Sequence, residues 1–139
     1  MKPLKLYGHD ADDMRIISAH VQDAVLQIGD LAYRAEARRF VMLMNRFMWE
    51  APEARRRVRS ALQIRGVVRV ARRRIKSAPA DAVLSLLALD FTPEDAPAGM
   101  VSAVFAGGGE IRLAVEACEV ILEDVSAPWP TQAAPAHDV

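Results

Sequence analysis

The sequence predicts an α+β fold. An N-terminal strand and a single amphipathic helix pack on an antiparallel meander of about six strands, curled into a roll or partial barrel. Three observations predict it. Met14, Ile17, Val21 and Val25 recur at helical spacing and make one apolar stripe. From about Gly29 the pattern changes to alternation, the period of a strand. Short connections between the alternating runs favour neighbouring antiparallel strands, and one helix cannot cover a flat sheet of that width.

LKLYG, ending at Gly8, reads as the first strand. HDADDMRIISAHVQDAV reads as the helix, with Asp10 as its cap. Asp12 and Asp13 fall in its first turn, where the helix dipole favours negative charge. DLAYR and RRFVMLMNRFMWE read as two strands joined by a turn near residues 35–38. RVRSALQIRGVVRVARRRI alternates most clearly. Val58, Ser60, Leu62, Ile64, Gly66, Val68 and Val70 form its inward set; Arg59, Gln63, Arg65 and Arg69 face outward. Some fifteen residues of strand would span roughly 50 Å, so a bend is expected, and Gly66 is the place for it.

DAVLSLLALDF is apolar on both faces and reads as a central strand covered on each side. Pro93, Pro97 and Gly99 mark a loop. MVSAVFA and EIRLAVEA flank the glycines 107–109 as a hairpin. CEVILEDV fits either a further strand beyond a bulge or a helical turn. Residues 1–127 are read as a single α+β domain, and 128–139 as an irregular proline-rich tail.

The net charge of zero hides a segregation. Residues 34–76 carry fourteen basic and three acidic groups, whereas 77–139 carry one basic and ten acidic groups. Such asymmetry marks either a polyanion-binding surface or two parts of one fold that neutralise each other. A single cysteine, Cys118, excludes an internal disulfide and a cysteine-based zinc site. No long apolar segment opens the chain, and none approaches the ~20 residues of a membrane helix. The expectation is a cytoplasmic protein without a membrane partner.

Catalytic signatures are missing. The three glycines are followed by Glu110 and another strand, not by the Lys-Ser/Thr pair and helix of a phosphate loop. Glu116 and Glu119 would raise the Cys118 thiol pKa, the wrong direction for a nucleophile. His9 lies near Asp10, Asp12 and Asp13, but capping explains those aspartates; His20 pairs with Asp23 along the helix, and His137 is in the tail. No catalytic residue, cofactor or metal ligand is assigned. Met42, Met44, Met48 and Trp49 read as core, or as the wall of a small-ligand pocket if the roll encloses one.

The arginines make the one physical case for a site. Alternate residues of a strand face lie about 6.5–7 Å apart, near the phosphate spacing of a nucleic-acid strand. Arg59, Arg65, Arg69 and Arg73 are the candidate polyanion-binding residues. Two features count against this. No aromatic residue is interleaved to stack on bases. The acidic third must also pack close by, where Glu110 and Glu116 can pair with arginines across the sheet.

SAHVQDAVLQIGDLAY, RRFVMLMNRFMWE, VLSLLALDF and FAGGGEIRLAVEACEVILEDV, with the closing PW and AHD, carry a family resemblance. The chain resembles, over nearly its whole length, an alphaproteobacterial family collected as domain of unknown function twenty-nine forty-eight. The resemblance implies a bacterial cytosolic protein about one domain long and brings no activity, substrate or catalytic residue. The residues themselves favour a non-enzymatic interaction module that binds a protein partner or self-associates. RNA binding through residues 55–74 is the second reading, and a small-ligand pocket inside the roll the third.

Overall fold

The computed structural model describes residues 2–132 and Pro135. The strands are β1 (Lys5–Gly8), β2 (Val25–Gln27), β3 (Leu31–Arg34), β4 (Arg39–Phe47), β5 (Arg56–Arg65), β6 (Val67–Arg73), β7 (Val83–Pro93), β8 (Gly99–Phe105), β9 (Glu110–Val115), β10 (Val120–Asp124) and β11 (Trp129–Pro130). One helix, α1 (Ala11–Val21), follows β1. The fold is thus mostly antiparallel sheet with one helix and an N-terminal strand, as the sequence predicts.

The strand order corrects the meander of about six strands. The sheet runs β1-β10-β5-β4-β2-β7-β8-β9-β6, with β3 beside β4 and β11 beside β5. Only β7-β8-β9 and β3-β4-β5 run as neighbours in sequence order. CEVILEDV supplies β10, a separate strand inserted between β1 and β5. The sheet ends in β1 and β6, which do not pair, so it is not closed into a barrel.

Two segments connect the halves of the sheet. Residues 83–85 of β7 pair with β2, while the rest of β7 pairs with β8. β5 pairs with β4 and β10, and its continuation β6 pairs with β9. The turn between β5 and β6 is Gly66, at φ +68°. Glycine adopts that left-handed conformation without the steric cost a Cβ would bring.

The bend also changes the alternation. Val58, Leu62 and Ile64 are buried as expected, but Val67 takes the next inward position and Val68 is 52% exposed. A bulge between Val67 and Arg69 restores the phase, so Val70 again packs against the core. Simple parity cannot foresee a bulge directly after a glycine bend.

Met14, Ile17 and Val21 bury the helical stripe against the inner sheet face. Phe40, Met42 and Met44 of β4, Leu62 and Ile64 of β5, and Ile111, Leu113 and Val115 of β9 complete that core. Each such side chain contributes about 1.5–3 kcal/mol through burial. Asp10 caps the helix by accepting from the Asp13 amide at 2.8 Å, and Asp13 accepts from the His9 amide at 2.9 Å. The helix stops at Val21, not at Val25. Asp23 turns the chain at φ +63°, and Val25 joins β2.

β7 is not covered on both faces as expected. Its helix-side residues Leu86 and Leu89 are buried, but Leu87 is 38% exposed. The bulge between Leu86 and Ala88 interrupts pairing with β8, and Ser18 Oγ of the helix accepts the Leu89 amide at 2.9 Å. At the tail, Trp129 and Pro130 pair with Arg57 and Arg56, so the sheet extends past residue 127. The end of the tail, with His137, lies outside the described residues.

Candidate interaction surface

Register fixes what the outer face presents, because directly paired residues share a face. Across the half built on β5, one rung reads Tyr7, Ile121, Gln63, Val41, Ala32 over five strands. Tyr7 and Ala32 at its ends are exposed, and Gln63 and Val41 are half-buried. Leu43 and Ala61 stand directly opposite each other on the same outer face. Ile121 and Ala61 are themselves buried, so this outer strip is mostly apolar but only partly exposed, chiefly at Tyr7, Ala32, Val41 and Leu43.

A charged rung lies beside it. Arg34 stands opposite Arg39, and Arg39 opposite Arg65. Arg65 Nη1 reaches Glu119 at 3.3 Å, while its Nε is buried without a hydrogen-bond partner. Among the described residues neither Arg34 nor Arg39 has a carboxylate within ion-pair distance. Arg38, at the hairpin tip, pairs with Glu116.

The four candidate arginines separate into two kinds. Arg59 is engaged on both arms: Nη2 donates to Asp30 at 3.0 Å and Nη1 to Asn45 at 3.2 Å. It borders a polar notch of about 230 Å³ where β2 and β4 diverge, lined also by Gln27 and Val83. Arg65 belongs to the rung just described. Arg69 and Arg73 lie on β6, the end strand of the sheet, opposite Ala114 and Glu110. Among the described residues neither makes an ion pair. The acidic third therefore neutralises the basic segment only in places, on the surface at Arg38 and Arg65 and inside the fold at Arg46.

The strongest electrostatic feature is internal. Arg46 occupies an inward position of β4 and is fully buried. Its Nε and Nη2 donate to the two oxygens of Asp124 at 3.0 and 2.9 Å; Nη1 and Nη2 donate to Glu50 at 2.9 and 2.7 Å. Asp124 also accepts from Ser60 Oγ at 2.7 Å and from the Leu4 amide at 3.1 Å. Burial alone would raise the Asp124 carboxyl pKa, but the Arg46 and Ser60 hydrogen bonds hold it below its ordinary value. Hydrogen bonding to Arg46 likewise lowers Glu50. Burial opposes the charge on Arg46, and the same two carboxylates reverse that and raise its pKa. With every arm occupied, the guanidinium is a structural clamp rather than a free catalytic group.

Sequence reading placed Ser60 inward but missed the clamp. The available signal was parity: Arg46 follows Phe40, Met42 and Met44 on the buried face, where an arginine requires carboxylate partners. Arg34 and Arg39 were missed because their proximity to Arg65 depends on strand register.

A pocket of about 500 Å³ opens below the clamp, between Lys2, Pro3, Met48, Val58, Asp124 and residues 125–128. Met48 lines it, but Met42 and Met44 are packed in the core. Trp49 stacks edge-on against Phe47 and donates to Gln22 O at 2.8 Å. The methionine and tryptophan wall proposed for a ligand pocket is therefore not assembled. Cys118 is buried, and its thiol is pushed up to about 11 by burial first and by Asp10 and Asp13 second. The direction matches the sequence expectation; the cause is not Glu116 and Glu119. Gly107 and Gly108 have φ of +88° and +91° and turn the β8–β9 hairpin.

Among the described residues no helix is long and apolar enough to cross a membrane. No curated protein and no solved structure matches the chain. A family profile matches residues 4–137, so the chain carrying this arginine rung and Arg46 clamp belongs to the family described as Protein of unknown function (DUF2948).

Proposed function

We propose that the protein is a non-enzymatic cytoplasmic interaction module. It docks a protein partner through the outer face formed by β1, β10, β5, β4 and β3. The observation that carries this reading is the mostly apolar rung Tyr7–Ile121–Gln63–Val41–Ala32 on the face opposite the core, with Tyr7 and Ala32 exposed and Val41 half-buried. Apolar area left outside the core of a small domain is characteristic of an interaction site. The fully engaged Arg46 and the buried, proton-retaining Cys118 favour binding over catalysis.

Nucleic-acid binding along residues 55–74 is the competing reading, supported by Arg69 and Arg73 making no ion pair among the described residues. Against it, Arg59 is held by Asp30 and Asn45, and Arg65 is shared with Glu119.

Val41→Glu with Ala32→Glu places charge in the apolar rung without entering the core. Quantitative co-purification from cells should recover a partner with the wild-type chain and lose it with this variant. Equal recovery removes the outer face as the docking surface. Light scattering over a concentration series identifies the case in which the partner is a second copy. A salt-sensitive complex with generic oligonucleotides that Arg69→Ala with Arg73→Ala abolishes would favour the nucleic-acid reading instead.

A further inference from the structure

The rung Arg34–Arg39–Arg65 has a stability cost that the fold does not offset locally. Like charges directly opposite on neighbouring strands repel, and here three cations stand in consecutive register across β3, β4 and β5. Among the described residues one carboxylate, Glu119, pairs with the rung. The Arg65 Nε is in addition a buried donor with no acceptor. A guanidinium offers five donors in a planar fork suited to carboxylate oxygens. The rung is therefore short of both negative charge and acceptors.

We infer that this rung is an anion clamp for an acidic segment of the partner protein, one whose carboxylates alternate with apolar side chains. This rests on the reading that the outer face docks a protein, and it names the chemistry of that partner. The neighbouring rung decides between carboxylate and phosphodiester. Ala32, Val41 and Gln63 lie two residues along the strands from Arg34, Arg39 and Arg65, about 7 Å away. An acidic, partly apolar peptide satisfies both rungs together. A nucleic-acid backbone would leave the apolar rung uncovered, and it would find no aromatic stacking platform between the arginines. A second copy meeting rung to rung would set arginine against arginine, which disfavours a symmetric dimer through this face.

The test uses the whole protein, labelled with nitrogen-15, and a synthetic peptide of alternating glutamate and leucine as probe. Saturable movement of the Arg34, Arg39 and Arg65 Nε–H signals is expected, with affinity falling steeply as salt rises. Arg34→Gln with Arg39→Gln should weaken binding by about tenfold or more. The same variant should leave the melting temperature unchanged or raise it, since it removes repulsion; a purely structural role for the rung predicts a fall. Absence of saturable binding, or binding unaffected by the double variant, overturns the inference. So does an oligouridylate of equal charge that binds more tightly than the peptide. If the peptide fails while the Val41→Glu, Ala32→Glu variant still loses its partner, the docking face stands and only its acidic specificity falls.

Discussion

Arg46 and Asp124 lie 78 residues apart in sequence and meet through two parallel hydrogen bonds of 3.0 and 2.9 Å inside the sheet. Glu50 closes the other side of the guanidinium. The first prediction concerns this clamp. Asp124→Ala leaves a buried guanidinium short of one carboxylate and should destabilise the fold by about 3–5 kcal/mol. Replacing both Arg46 and Asp124 by leucine or methionine should cost less than that single change. Urea unfolding of the three proteins checks the order.

Acid should weaken the same clamp. Asp124 and Glu50 have folded pKa values below their unfolded ones. Their contribution to stability is therefore complete above the unfolded values, near pH 4, and is lost as pH falls through the lower folded values. Denaturation midpoints should drop as pH falls below about 4. Asp124→Asn should flatten that dependence; an unchanged acid limb would falsify the linkage to Asp124.

Gly66→Ala isolates a conformational cost from a steric one. A Cβ there would meet nothing closer than 3.7 Å, so space is available. The φ of +68° remains, and a left-handed residue other than glycine costs about 1–2 kcal/mol. Asparagine, which tolerates that region, should be milder than alanine. Thermal melts of the two variants test the ranking.

Cys118 should be inert in the native protein. Its thiol is raised to about 11 and buried. The folded state holds the proton more tightly than the unfolded one, so stability should decline as pH rises from about 9 toward 11. Modification by a disulfide reagent at pH 8 should proceed at the rate of unfolding. A fast, stoichiometric reaction in the absence of denaturant contradicts this.

The arginines of β6 should protect an edge. β6 bonds to β9 on one side only and ends the sheet. Charged side chains on such an edge discourage pairing with another chain. Arg69→Thr with Arg73→Thr should aggregate faster on mild heating, as measured by light scattering, with little change in unfolding free energy.

Much of the architecture was legible wherever local chemistry decides it. The Asp10 cap, the Met14–Ile17–Val21 stripe, the Ala35–Arg38 turn and the glycine hairpin follow from nearest neighbours in sequence. The bend at Gly66 also followed, because strand length demanded it. The order of strands did not. Val120–Asp124 could be read as strand or helix because its partners, β1 and β5, lie more than fifty residues away. The arginine rung and the Arg46 clamp were hidden for the same reason. Alternation tells which side of a strand a residue occupies, and only register tells what stands opposite.

Register also sets a timetable. β1 has a single partner, β10, with Lys5 opposite Glu123. A ribosome adding about 5–20 residues per second needs roughly ten seconds to travel between them. Through that interval β1, with Leu6, lacks its strand partner, and for the earlier part of it α1 lacks β7, on which its inner side chiefly packs. Synthesis therefore exposes apolar surface early and hides it late, which makes a nascent chain of this topology a natural client for holding chaperones.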